Sequence, residues 1–415
     1  EGIAGTSAAR DRGLGFNEYM AENCAGVEIV ARQTANFNRA EGLTVFENIL
    51  QAQSEIDGVF AHNDEMILGA IEAASAAGRD GITFVGFDAV DDAVDAVNAG
   101  TLAATVAQQP ALMGELGVMT AISALDGEEV ADFIPVDLRI VQNITLGLSV
   151  STLNNPFFVT LVEGAQALAD EIGAELIVVD AQDSPSTEAS NIEDLIAQGV
   201  DAILINPTDS DAVVPSVLAA NDAGIPVFTI DRSASGGEVI SHVASDNVAG
   251  GALAAQFLCE ALGGEGSVVE LEGIAGTSAA RDRGLGFNEY MAENCAGVEI
   301  VARQTANFNR AEGLTVFENI LQAQSEIDGV FAHNDEMILG AIEAASAAGR
   351  DGITFVGFDA VDDAVDAVNA GTLAATVAQQ PDAIGALGVE TAAGFLAGAS
   401  VMDFIPVDLS LVTDD

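Results

Sequence analysis

The chain has no lysine and no tryptophan among its 415 residues, and only two tyrosines, three cysteines, three histidines and nine prolines. Each shortage closes a class of chemistry. Without lysine there is no lysine-bearing phosphate loop, no Schiff base and no lysine general base. His62, His242 and His333 are too scattered for a ligand cluster, so neither a metal nor a cofactor is expected. Cys24, Cys259 and Cys295 show no metal-like spacing, and an odd count implies no disulfide framework, so buried inert thiols are the expectation. No apolar run reaches the roughly 18 residues that a membrane-spanning helix needs. Positive charge is scarcest: all 12 basic residues are arginine, against 65 acidic ones, giving a net charge of −53. Such a surface repels nucleic acid and anionic membranes and suits concentrated salt, where screening removes the self-repulsion.

What the chain does contain is a long repeat. Residues 1–110 recur without a difference as residues 272–381, and 17 of the next 32 positions still agree at the same offset of 271. That period is far above the 20–50 residues of a solenoid unit, so domain-sized material is repeated. With 49% hydrophobic residues, the chain has enough apolar material for large cores.

Between and within the copies, short apolar β-rich runs alternate with helical patterns. "NITLGLSVS" leads to "FFVTLVEGAQALADEIG", then "AELIVVDA", "STEASNIEDLIAQG", "DAILINPT", "DAVVPSVLAANDAG" and "IPVFTID". A second series runs from Asp246 through "SVVELEG", "EIVARQT", "GVFAHND" and "ITFVGFD", with a helix between each pair. These are βαβ units, and their nearly continuous apolar strands predict parallel sheets covered by helices on both faces. Two Rossmann-like α/β lobes in series are expected, plus an extra partial lobe from the first copy. Ligands of such sheets bind beyond the carboxyl ends of the strands.

Those ends read "VSTLNNPFF", "LINPTDSD", "TIDRSAS", "SHVASDN", "FAHNDEM", "VGFDAVDD" and "ATVAQQP", where Asn, Asp, Arg, Gln and Phe recur as each apolar run stops. With "ELEGIAGTSAARDRG", these motifs make residues 144–415 resemble, nearly end to end, a sugar-binding member of the type I periplasmic binding protein family; residues 1–142 resemble only its later half. The resemblance implies two lobes joined by three chain crossings, near Ser245–Asp246, Gln380–Pro381 and Asp403–Pro406. The first lobe would comprise 144–245 and 381–402, the second 246–380 and 403–415. It further implies a periplasmic or extracellular protein that carries a pentose, D-ribose foremost, to a membrane ABC transporter or receptor. The contacts it carries over are Asn155, Phe157, Phe158, Asp231 and Arg232 from the first lobe, with Arg283, Phe308, Asn334, Asp359 and Gln379 from the second. Asn206 is a weaker candidate. Two positions depart from the family pattern: His333 replaces glutamine, and Ala360 replaces glycine.

The residue types agree with that chemistry. Carboxylates accept from adjacent sugar hydroxyls, arginine donates in a planar fork, amides do both, and phenylalanines cover the apolar ring faces. Each residue also has a plainer reading. Strand-end Asp and Asn often cap the next helix, paired Phe can be core, and Arg281 and Arg283 can be surface ion pairs. The Gly-rich "EGIAGTSAARDRG" lacks the G-x-G-x-x-G spacing of a phosphate loop. No Ser-His-Asp or Cys-His arrangement suggests an enzyme, and no basic helix-turn-helix segment stands ahead of Asn143 to suggest a repressor. The first copy reproduces half of the site as Arg12, Phe37, Asn63, Asp88 and Gln108. It lacks the counterpart of about 26 residues, 246–271, which leaves a sheet edge to be covered. Self-association through exchanged lobes, giving dimers or filaments, is therefore a second expectation.

Overall fold

The computed structural model describes residues 1–125, 130–136 and 138–414. They fall into two compact units, Glu1–Ile144 with Asp170–Glu175, and Thr145–Ala169 with Leu176–Asp415.

The first unit runs α1 (Ser7–Asn23), α2 (Arg39–Ala52), β1 (Gly58–Phe60), α3 (Asp64–Ala76), β2 (Thr83–Asp88), α4 (Asp91–Asn98), β3 (Ala104–Ala107), α5 (Pro110–Leu125) and β4 (Arg139–Gln142). Its sheet has the order β1-β2-β3-β4, with β4 antiparallel to β3 and the other pairs parallel. Polar residues at the ends of loops start the helices: Thr6, Asn38 and Asn63 accept from the backbone N–H three residues on.

The second unit holds two six-stranded sheets. The chain enters with β5 (Thr145–Val150), α6 (Pro156–Ile172), β6 (Glu175–Asp180), α7 (Pro185–Gln198), β7 (Ala202–Ile205), α8 (Val214–Asp222), β8 (Val227–Ile230) and β9 (Ser241–Ser245). It continues with α9 (Asn247–Ala261), β10 (Glu265–Glu272), α10 (Ser278–Asn294), β11 (Gly297–Thr305), α11 (Arg310–Ala323), β12 (Gly329–Ala332), α12 (Asp335–Ala347), β13 (Thr354–Asp359), α13 (Asp362–Asn369) and β14 (Ala375–Ala378). Last come α14 (Pro381–Leu396), β15 (Phe404–Val407) and β16 (Ser410–Val412). One sheet has the order β15-β9-β8-β7-β5-β6, the other β11-β10-β12-β13-β14-β16. Strands β7, β8 and β12 are buried at every position, which is why they read as unbroken apolar runs.

The chain passes between these sheets after β9, after β14 and between β15 and β16, and α14 returns to lie against β7, β8 and β9. The third passage was expected near Asp403–Pro406 but falls after Val407. "FIPV" is not a crossing; it pairs in parallel with β9, Phe404 opposite His242 and Val407 opposite Ser245, as an edge strand of the first sheet.

The cysteine expectation is also corrected. Cys259 and Cys295 form a disulfide across Cα atoms 6.2 Å apart, because α9 and α10 pack side by side with Cys259 in the last turn of one and Cys295 at the C-cap of the other. Cys24 is a free thiol.

Identical sequence takes different structure in the two copies. Residues 297–305 form β11 because β10 offers its edge from Glu265–Gly297 to Glu272–Thr305, with one register shift that passes over Val301. Their counterparts, 26–34, form no strand. α10 buries Ala279, Gly284, Gly286, Phe287 and Met291 among others, while α1, with the same sequence, buries Ala9 alone. Local propensity is equal by construction, so tertiary partners decide the outcome.

Candidate functional site

A pocket with about 10 Å³ of free volume in the second unit is lined by Asn155, Phe157, Phe158, Asp231, Arg232, Ala279, Arg283, Phe308, Asn334 and Asp359. Nine of the ten residues singled out from sequence thus meet at one place. The tenth, Gln379, stands behind it and donates from Nε2 to Asp359 Oδ1 at 2.8 Å. About 10 Å³ is room for roughly one water, so a sugar ring enters only if the lining side chains or the lobes move apart.

Topology explains the convergence. Phe157 and Phe158 open α6 beyond the end of β5, Asp231 and Arg232 follow β8, Asn334 and Asp359 end or follow β12 and β13, and Arg283 reaches over from α10. The two sheets thus point their carboxyl ends at each other. The lobes also touch around the rim: Ser210 N donates to Gly276 O at 3.0 Å and Ser233 N to Ser278 Oγ at 2.8 Å.

Most polar groups here are held in place. Arg283 donates from Nε to Asn247 Oδ1 at 2.7 Å and from Nη1 to His333 O at 2.6 Å, lies 3.4 Å from Asp359 Oδ1, and stacks over the Phe358 ring at 3.9 Å. The Arg232 guanidinium lies over the Phe158 and Phe308 rings, 5.1 and 5.3 Å from their centres. Asp231 Oδ2 accepts from Asn206 Nδ2 at 3.0 Å. Three atoms are left over: Asp231 Oδ1, Arg232 Nε and, behind them, Gln379 Oε1 are buried without a hydrogen-bond partner. A buried acceptor and donor left unpaired cost on the order of 1–3 kcal/mol each, so a polar ligand that supplies both is favoured here.

The plainer readings hold in part. Asn334 is a helix cap: Oδ1 accepts from Met337 N and Nδ2 donates to Phe308 O, leaving one N–H for the cavity. Sequence reasoning missed Ala279, whose methyl carries no chemical signal, and Asn247, which orients Arg283 and stands in the quoted "VASDN".

Burial pushes Asp359 up to about 7, with Arg283 and Gln379 pulling the other way. Burial also lowers Arg232, opposed chiefly by Asp231. The raised Asp359 binds a proton in the folded protein over a range where the unfolded chain has lost it. Its stabilising contribution is complete below about pH 3.8 and gone above about pH 7. In sugar-free protein the melting temperature of Asp359→Asn, minus that of the parent, therefore rises between pH 5 and pH 8 at fixed salt. Scanning calorimetry measures it, and a flat difference contradicts the assignment.

Three site residues sit in left-handed backbone: Asp231 at φ 59°, Phe308 at 57° and Asp359 at 118°. Ala360, the departure from glycine, follows at 56°. An L side chain there costs about 1 kcal/mol or more. Ala360→Gly is expected to raise the melting temperature of the second unit by about 2–4 °C; no change by calorimetry contradicts the strain.

In the first unit the copied half-site keeps its internal contacts. Arg12 lies 3.2 Å from Asp88 and 3.8 Å over Phe87, Gln108 donates to Asp88, and Asn63 caps α3 while donating to Phe37 O.

A periplasmic binding protein domain model matches residues 1–129 and 146–400. The chain belongs to the periplasmic binding protein family. Relatives in it include the ribose import binding proteins RbsB of Escherichia coli (strain K12), 52% identical over 268 residues, and of Bacillus subtilis (strain 168), 50% identical over 272. The matches cover 65% and 66% of this chain, and 90% and 88% of those proteins. Among solved structures, a periplasmic solute-binding protein from Actinobacillus succinogenes 130z with bound D-allose matches at TM-score 0.62 and 33% identity, over 65% of this chain and 98% of that one. A solute-binding protein from Bacillus halodurans C-125 with bound myo-inositol matches equally well, at 0.62 and 33%, over 65% and 94%. The periplasmic binding protein fold and a sugar-binding role in ABC transport follow for this chain.

Proposed function

We propose that the chain binds a pentose, D-ribose, in the cavity of its second unit and delivers it to a membrane ABC transporter or chemoreceptor. The observation that carries this reading is the pair of unpartnered buried atoms, Asp231 Oδ1 and Arg232 Nε, on residues that line one pocket with Phe157, Phe158 and Phe308. A hydroxyl both donates and accepts, so one diol can engage both atoms. The two lobes, 144–245 with α14 and β15, and 246–380 with β16, close on the sugar because each holds half of its partners. Ribose is favoured over other small rings by the two RbsB relatives at half identity. The role is binding rather than catalysis, and the disulfide suits an oxidising periplasmic or extracellular setting.

Isothermal titration calorimetry tests the reading. D-ribose is expected to bind at one site per chain, at least tenfold tighter than D-allose, L-arabinose or myo-inositol. Preference for one of these moves the specificity, and no heat from any sugar defeats the proposal.

A second reading is favoured by α5. It buries none of its residues and exposes Val118, Met119, Ile122 and Leu125, whereas α14, its counterpart, buries Ile384, Val389 and Ala392. The first copy is then a partial duplication whose return helix seats on the first-lobe sheet of another chain, giving an exchanged assembly. Light scattering across protein concentration tests it; a constant monomer mass removes it.

A further inference from the structure

His333, directly after β12, does not line the pocket, yet residues that do are tied to it. Its carbonyl accepts from Arg283 Nη1 at 2.6 Å, and its neighbour Asn334 donates from Nδ2 to Phe308 O at 3.3 Å. The imidazole is buried, 1% exposed. It packs against Gly284 of α10, where a Cβ would stand 3.2 Å from Cε1, and its centre lies 5.4 Å from that of the Phe331 ring.

Both ring nitrogens are engaged, and their partners fix the tautomer. Nδ1 lies 3.3 Å from Gly273 N, and a backbone N–H can only donate, so Nδ1 accepts and carries no proton. Nε2 lies 3.0 Å from Glu270 Oε1, so it carries the proton and donates. Glu270 is itself buried, and accepts from Arg303 Nε at 2.6 Å and Asn288 Nδ2 at 3.1 Å. This carboxylate decides which nitrogen of His333 is left to receive Gly273. Gly273 in turn is the floor beneath Phe308: a Cβ on it would stand 2.0 Å from Cζ of that ring. The ring fills the space a side chain would need, so a shift of the Gly273 peptide moves Phe308.

We propose that His333 is a positioning residue for the sugar pocket, its imidazole linking buried Glu270 to the Gly273 peptide and so to the Phe308 ring. The proposal rests on the sugar-binding reading of that pocket. His333 acts through other residues: locked by Glu270 at Nε2, it holds Gly273 under Phe308, while its carbonyl keeps Arg283 beside Asp359. Glutamine offers the same two functions, an N–H to donate to Glu270 and an oxygen to accept from Gly273 N. Leucine offers neither.

Titration calorimetry of the full chain with D-ribose tests it. His333→Leu is expected to bind about tenfold more weakly or worse, and His333→Gln within about threefold of the parent. Met291→Ala, a truncation of the buried core about two turns along α10 from Arg283, is the control for lost stability. It is expected to lower the melting temperature and leave affinity within about threefold. Selective nitrogen-15 labelling of histidine, read by NMR, is expected to show His333 with a bare Nδ1 and a protonated Nε2, a result that needs neither a variant nor a sugar. His333→Leu binding like the parent, His333→Gln as weak as His333→Leu, an equal loss in Met291→Ala, or a proton on Nδ1 overturns the proposal. A parent that binds no D-ribose defeats the ribose reading instead, and the tautomer then decides the His333 assignment. The tautomer also decides it should His333→Leu fail to fold.

Discussion

Asp231→Ala is expected to weaken D-ribose binding about a hundredfold or more. The change removes the one buried carboxylate oxygen in the cavity without a protein partner, so the ligand hydroxyl it would receive loses its acceptor. It also leaves Arg232 buried beside no carboxylate of its own, 3.7 Å from where Asp231 Oδ2 stood, and strips Asn206 of its acceptor. Truncating one member of a buried, hydrogen-bonded charged set costs about 2–5 kcal/mol in binding, and about 2.7 kcal/mol is a hundredfold. Calorimetry of the variant with D-ribose reads the loss, and circular dichroism checks that the fold survives. Binding within about threefold of the parent contradicts the placement of Asp231 at the ligand.

Breaking the Cys259–Cys295 disulfide is expected to have the largest effect on stability. It closes a loop of sequence separation 36, for which the chain-entropy relation gives about 4 kcal/mol. For a unit of this size that lowers the melting temperature by about 8–15 °C. The paired change Cys259→Ser and Cys295→Ser, or reduction with a dithiol, is expected to move the transition of the second unit alone. The first unit holds the only free thiol among the described residues and has no disulfide to lose. A scanning calorimetry trace in which neither transition moves contradicts the structural role of this bond.

Much of the fold could be read from the chain because its strands are buried on both faces. "DAILINPT" and "IPVFTID" hold apolar runs that no amphipathic helix would give, and they form β7 and β8 as expected. The candidate site residues came from the family resemblance, and topology agrees with it: an α/β sheet delivers side chains at its carboxyl ends, where Asp231, Arg232, Asn334 and Asp359 stand as the apolar runs stop. Three matters were not legible. The Cys259–Cys295 bond depends on the close approach of α9 and α10, set by Gly251 and Gly286 rather than by cysteine spacing. The membership of β15 depends on which edge was open to "FIPV", a non-local fact. The unpaired course of residues 27–33 has no local cause at all, since the same residues at 298–304 form a strand once β10 is beside them. Ala360 illustrates the reverse case: its departure from glycine was visible in sequence, but only its φ of 56° explains why glycine suits the position.

The central claim is that Asp231 and Arg232 from one lobe, with Arg283 and Asp359 from the other, jointly hold one monosaccharide ring between phenylalanines. The most direct measurement is a crystal structure of the chain grown with D-ribose. The account predicts a single furanose or pyranose ring between Phe158 and Phe308, with one hydroxyl on Asp231 Oδ1 and another within hydrogen-bond distance of Asp359. Sugar density elsewhere on the chain, or a ring that leaves Asp231 Oδ1 and Arg232 Nε unpaired, would contradict it.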